Sequence, residues 1–325
     1  MTYHAAGCAA VITVLGGLCL NGLWAAPAGA ETIATLTKGQ SNPIVRGVRV
    51  GSEAMAGKLG DQSMHFVPRT ENSIPEQIGL ADEVLRNKPD ALVFSPSDPK
   101  ALLPTVEKFN AAGIAVVNVI DRLEGGQVVA YVGNDDYDLA VVTARYLLKA
   151  MGGKGNVVML EGPPALATAV ARSRGFNDAL KEFPDIKLLA AKSANYARPV
   201  AQQTMRDFLR AYPQIDGVLA ANDPMAIGAN EALKAASKKA LVVGINASAE
   251  VLEFIKSGEI LATGDYNGYV QGCLGAEIAF RHLHKQEVPK QVILKSVVID
   301  KTNYQPYETP MDKRTCPTLD SIAGK

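Results

Sequence analysis

The stretch ALVFSPSDPKALLPTVEKFNAAGIAVVNV, residues 91–119, decides the fold. It opens on the short apolar run Ala91 to Phe94, breaks at Ser95-Pro96-Ser97-Asp98-Pro99, and resumes as an amphipathic segment over residues 100–111. Gly113 stops that segment, and residues 114–119 form a second apolar run. A short apolar run, a helical pattern and another apolar run make one β-α-β unit, the building block of a parallel sheet.

The same rhythm extends outward in both directions at close to thirty-residue spacing. Upstream, strands are predicted at residues 33–36 and 64–67, with helices at 43–59 and 74–86; Pro lies near the helix starts and Gly60 after one end. Downstream, a strand at 128–132 ends at Gly133-Asn134 and the alternation restarts. Helices at 136–151, 165–183, 199–211, 224–236 and 249–256 then alternate with strands at 156–160, 186–191, 217–220, 241–245 and 260–263. The long helix near 270–284 has no place in this second series and completes the first.

These patterns predict an α/β protein of two similar open parallel-sheet, Rossmann-like lobes: 31–134 plus 266–292, and 135–265 plus 293–300. The return of the chain means more than one crossing, which limits relative motion to a hinge. No Ser/Gly/Pro-rich linker separates the lobes. Residues 301–325, with Pro306, Pro310 and Pro317, read as an extended tail on the surface.

Of 325 residues, 33 are Lys or Arg and 33 are Asp or Glu, so no net field would draw the chain onto nucleic acid or an anionic membrane. A neutral small ligand fits that balance better. At the N-terminus, residues 9–20 are almost wholly apolar and lead to Ala28-Gly29-Ala30, with small residues where signal peptidase requires them. Residues 1–30 therefore read as a cleaved signal peptide, although His4 and the free amine stand where Lys or Arg is usual. The apolar run falls short of the ~20 residues a spanning helix needs, and Leu18 before Cys19 does not suit lipidation. Cleavage leaves Cys273 and Cys316 in an oxidising compartment, either bridged or, for Cys273, buried as a small thiol on a tightly packed helix.

No catalytic set is legible. There is no G-x-S-x-G elbow and no P-loop; Gly152-Gly153-Lys154-Gly155 precedes a strand, whereas phosphate-binding glycines follow one. His282 and His284, two apart on a helix, point in different directions and do not make a metal pair. Asn134-Asp135-Asp136-Tyr137-Asp138 is better explained by helix capping than by calcium. No cofactor or metal is expected.

Four motifs occur in order: Asp121-Arg122 at a strand end, Arg172-Ser173-Arg174-Gly175-Phe176, Ala221-Asn222-Asp223-Pro224-Met225-Ala226-Ile227-Gly228, and Val242-Val243-Gly244-Ile245-Asn246. With them the chain resembles, over residues 32–299, the ribose-binding-protein-like periplasmic receptors, type I periplasmic binding proteins that serve ABC importers. In open α/β sheets ligands bind beyond the carboxyl ends of strands, and Asp121, Asn222 and Asn246 follow strands directly. Asp accepts two hydroxyl protons, Arg donates a fork and Asn does one of each, so Asp121, Arg122, Arg172 and Asn222 suit a polyhydroxyl ligand. The resemblance adds Asn42, Ser95, Tyr196 and Tyr266. Read without it, Asp121-Arg122 is equally a surface ion pair, Asn222 a helix cap, Tyr196 a loop-packing residue and Tyr266 a hinge residue.

Two departures bear on specificity. Ile44 and Val45 follow Pro43 where such receptors often carry aromatic residues, and Asn246 stands where the ribose-type pattern has aspartate. The resemblance implies a monomeric periplasmic protein, not an enzyme, that closes on a sugar or polyol and docks on an inner-membrane ABC permease. The alternative it allows is a sensor presenting its closed form to a chemoreceptor or histidine kinase. A repressor is excluded, since an export signal stands where a helix-turn-helix would be.

Overall fold

The computed structural model describes residues 1–2, 29–40, 42–164 and 166–323. The apolar run of the expected signal peptide lies outside the described residues. Along the chain, β1 (Thr32–Leu36), α1 (Pro43–Leu59), β2 (Gln62–Phe66), α2 (Ile74–Asn87), β3 (Ala91–Phe94), α3 (Leu103–Ala111), β4 (Ala115–Val119) and β5 (Ala130–Asn134) form the first unit. The second unit starts with α4 (Asp136–Ala150), β6 (Lys154–Glu161), α5 (Ala167–Leu180), β7 (Asp185–Ser193) and α6 (Arg198–Ala211). It continues through β8 (Gly217–Ala220), α7 (Asp223–Ala235), β9 (Leu241–Ile245), α8 (Ala249–Ser257) and β10 (Ala262–Gly264). After α9 (Gly268–Leu283) come β11 (Gln291–Leu294), β12 (Val298–Asp300), two 3₁₀ turns and α10 (Leu319–Ala323).

The strands form two six-stranded sheets, ordered β11-β5-β4-β3-β1-β2 and β12-β10-β9-β8-β6-β7. Every pairing is parallel except β10 with the antiparallel edge strand β12. The central strands are buried along their length, as expected where helices cover both faces. Register aligns the strand ends: Leu36 lies opposite Phe66 and Phe94, and Leu160 opposite Ala220. The loops after them therefore emerge side by side.

Short side chains set the helix starts at this edge. Asn42 accepts from the Ile44 N–H at 3.0 Å, with Pro43 in the first turn of α1 and Gly60 at φ 85° closing it. Asn222 and Ser248 cap α7 and α8 in the same way. Helix α9 packs on α1 with backbones in close approach: a Cβ on Gly272 would lie 2.0 Å from the Val48 carbonyl oxygen, and one on Gly51 2.0 Å from that of Tyr269.

Two expected boundaries change. The first sheet runs on to Leu294, because β11 pairs with β5 from Gln291↔Tyr131 to Leu294↔Asn134; the passage to the second sheet falls after this strand, not at residue 292. The segment from 301 is not simply an extended surface tail. It forms 3₁₀ turns at Gln305–Glu308 and Met311–Lys313 and buries Cys316 and Leu319. A disulfide joins Cys316 to Cys273 on α9, S–S 2.06 Å, which anchors this segment to the first sheet's helical layer.

Candidate ligand-binding cleft

The carboxyl ends of both sheets face one cleft of about 820 Å³. From the first unit and the crossings, Asn42, Asp121 and Tyr266 line it; from the second, Arg172, Tyr196, Asn222 and Asn246. Ser95 and Arg122 do not. Ser95, one residue past β3, still follows the strand ladder: its N–H donates to the Leu36 carbonyl at 3.0 Å and its own carbonyl accepts from Gln77 Nε2 at 2.8 Å. That keeps it wholly buried beneath the cleft. Arg122 turns to the opposite side from Asp121, donates to Gln291 Oε1 at 2.5 Å and lies 4.6 Å from the centre of the Tyr131 ring. The cation–π contact and the β11 side chain hold it there.

Arg172 is the most constrained group in the cleft. Its Nε donates to Asp136 Oδ1 at 2.7 Å and its Nη1 to the Ala221 carbonyl at 2.7 Å, while the Tyr266 and Tyr196 rings lie 5.0 and 5.7 Å from the guanidinium carbon. Burial is the largest single influence and works against its charge, but Asp136, Tyr196 and Tyr266 together outweigh it and raise the pKa, while burial also raises that of Asp136. Among the described residues its Nη2 has no protein partner, so it retains donors for a ligand. Tyr266 adds a long 3.4 Å hydrogen bond from its hydroxyl to Asp136 Oδ2. Across the cleft, Asp121 pairs with Lys38, two residues past the end of β1.

The loops that carry these groups contain non-glycine residues in the left-handed region. Ile120, just before Asp121, has φ 66°, and Asn195 and Tyr196 have φ 55° and 57°. For a β-branched residue this is a strained conformation. At Ile120 the backbone is held by hydrogen bonds: its carbonyl accepts from the Tyr131 hydroxyl at 2.8 Å and its N–H donates to Gln271 Oε1 at 3.2 Å. Gln271 is itself fully buried, and its Nε2 donates to Asn134 Oδ1 at 2.9 Å and to the Tyr266 carbonyl at 2.8 Å. One side-chain amide therefore ties together β4, β5 and the start of α9, where the chain passes between the sheets.

Asn222, at the edge of the cleft, is the helix cap that the sequence offered beside a ligand contact, and it makes a second bond within the protein. Its Oδ1 accepts from the Met225 N–H at 3.0 Å as a helix cap, and its Nδ2 donates to the Tyr196 carbonyl at 3.1 Å, fixing that loop against the cleft. Asn246, at φ 142°, projects from the β9–α8 loop beside Ser248. Directly behind, Asp223 is fully buried and accepts from the Ser248 N–H at 2.7 Å and the Thr263 hydroxyl at 2.6 Å. Burial pushes its pKa up to about 6 against those donors.

Sequence reasoning missed Lys38, Asp136, Thr168, Asn195 and Met311. Thr168 stands 3.4 Å from the Tyr196 hydroxyl, and Met311 reaches the cleft from the C-terminal segment. Lys38 and Asn195 follow strands and were findable by the rule that found Asp121. Asp136 belongs to a capping cluster in the sequence, and only the fold brings Arg172 to it. Among the described residues no group of His, Cys, Asp or Glu could hold a metal ion, and no helix is long and apolar enough to cross a membrane.

Two open α/β units, mostly parallel, with a polar cleft between their strand ends and several chain crossings behind it define a solute-binding architecture. The chain belongs to the periplasmic binding protein domain family, whose model matches residues 33–287. It is 32% identical over 236 residues to a D-apiose import binding protein of Paraburkholderia graminis, covering 72% of this chain and 75% of that one. To a xylitol-binding protein of Mycolicibacterium smegmatis it is 31% identical over 234 residues, 71% and 67% of the two chains. The crystal structure of an ABC transporter periplasmic solute-binding protein from Actinobacillus succinogenes with bound D-allose superposes with TM-score 0.81 at 33% identity, over 85% of this chain and 100% of that one. The fold is that of the type I periplasmic binding proteins, and the protein is a binding protein, not an enzyme.

Proposed function

We propose that this protein is exported to the periplasm, captures a small neutral sugar or polyol by closing its two lobes, and delivers it to an ABC importer in the inner membrane. The observation that carries the ligand class is the pairing of charges: Lys38 with Asp121 on one lobe, Arg172 with Asp136 on the other. Each pair thus presents charged hydrogen-bonding groups that cancel each other, and of the other charged residues at the cleft Arg46 and Glu71 are opposite in sign and Glu250 is paired with Arg198. An ionic ligand would leave one partner uncompensated, at a high desolvation cost. A neutral ligand rich in hydroxyls can donate to Asp121 and accept from Arg172 without disturbing either pair. The names of the relatives, D-apiose, xylitol and D-allose binders among them, support the same class.

Asn246, with Ile44 and Val45, sets this cleft apart from the ribose-type pattern, so the preferred ligand is expected to differ from ribose. Delivery to an importer rests on family membership, and export rests on the N-terminal segment.

A thermal-shift screen of D-ribose, D-allose, D-apiose, xylitol and related pentoses, hexoses and polyols tests the ligand class. At 100-fold excess over Kd a native-state ligand contributes about 2.7 kcal/mol, a rise of several degrees in Tm for a chain of this size. The best compound should then lose about tenfold or more in affinity in Arg172→Lys, which keeps the charge opposite Asp136 but removes the fork, and in Asp121→Asn. No shift with any sugar or polyol would remove the ligand class, and unchanged affinity in both variants would remove these residues from the site.

A further inference from the structure

The segment after β12 lies beyond residue 287, where the family match ends, and it makes contact with both lobes in turn. Glu308 accepts from Lys256 Nζ on α8 at 2.7 Å, and the first 3₁₀ turn packs on that helix of the second lobe. Tyr307 then donates its hydroxyl proton to the buried Asp265 carboxylate, 2.6 Å away, at the crossing between β10 and α9. The second turn packs on α1 of the first lobe. Beyond it, the Tyr269 hydroxyl donates to the Arg314 carbonyl at 2.6 Å, Cys316 is bonded to Cys273, and the Leu319 N–H donates to Glu277 at 2.8 Å on α9.

Between these anchors, Met311 opens the second turn and lines the cleft next to Ile44 and Asn246. Its position is held from both sides by one arginine. Arg314 Nε donates to the Thr309 carbonyl at 2.7 Å and Nη2 to the Tyr307 carbonyl at 2.6 Å, while its N–H closes on the Met311 carbonyl at 3.2 Å. An apolar, polarisable side chain on a covalently anchored, internally bonded turn is a built contact, not a loose end.

We infer that the C-terminal segment is a strap forming a further wall of the ligand cleft, and that Met311 is the specificity residue it supplies, packing with Ile44 against an apolar face of the ligand. The inference rests on the reading that the cleft takes a sugar or polyol, whose ring or chain combines hydroxyl edges with C–H faces. Asp121 and Arg172 address the edges; Met311 and Ile44 address a C–H face. Compounds that turn a hydroxyl toward that wall are disfavoured, because Met311 offers no strong hydrogen bond to replace water.

Titration calorimetry with xylitol, D-apiose, D-allose and D-ribose on the wild type, Met311→Ala, Met311→Gln and Met311→Leu tests it. Met311→Ala should weaken the preferred compound about tenfold. Met311→Gln, of similar length but polar, should change the order of preference, and Met311→Leu should keep wild-type affinity and order. Wild-type affinity and order in both Met311→Ala and Met311→Gln overturn the inference while leaving the sugar-binding reading in place. Where the wild type binds none of the four, the best compound of the thermal-shift screen replaces them in the same titrations, and the absence of any binder in that screen overturns this inference together with that reading.

Discussion

Asp223 shows how one buried carboxyl can support a cleft it does not touch. It holds the Ser248 N–H and the Thr263 hydroxyl, and so positions the β9–α8 loop that presents Asn246. Its folded pKa, pushed to about 6 by burial, lies above the ordinary 3.8, so the folded state binds more protons between those values. The resulting stabilisation is fully present below about pH 4 and is lost as pH rises through about 6. Urea unfolding from pH 7 to pH 5 should therefore show the stability of the wild type gaining about 1 kcal/mol on that of Asp223→Asn; parallel curves would contradict the assignment. At this scale the strand-end rule made Asp121, Asn222 and Asn246 legible. It could not tell Asp121 from Arg122, because the side of the chain on which each emerges depends on Tyr131 and Gln291, residues remote in sequence or on a neighbouring strand.

Helices α1 and α9 meet through glycines, and the contact positions the hinge-linking Gln271 one residue before Gly272. A valine at 272 would drive its Cβ into the Val48 carbonyl, and backbone cannot yield as a flexible side chain can. Overpacking of this kind costs about 1–3 kcal/mol and more where backbone must move. Gly272→Val should fall at the upper end, as a drop in the urea midpoint at unchanged slope; a loss below about 1 kcal/mol would show that the helices separate freely. Most elements were legible because each has its own apolar period and most helices open on a capping side chain or a Pro. Strand β11 was not: four residues with an exposed edge carry too little period to read. The prolines of the strap suggest an extended chain, although the partner of Cys316 fixes where it must go.

At the scale of the molecule, the chain passes between the sheets after β5, after β10 and after β11, and the strap adds a covalently anchored link. Gln271 and Asp265 sit at these crossings with their polar atoms bonded within the hinge, so relative movement of the lobes is confined to a few loop residues. The pattern of two units with a returning helix was legible in the spacing of apolar runs. The strap's part in the cleft was not, since it depends on a contact between residues far apart in sequence. The central claim, that a sugar or polyol is taken up between closing lobes, is tested most directly by small-angle scattering of the purified protein with and without each compound at saturation. At least one sugar or polyol should lower the radius of gyration, and at a concentration equal to the wild-type Kd the change should shrink about fivefold or more in Arg172→Lys. An unchanged radius of gyration with every compound, including any that binds, would contradict the account.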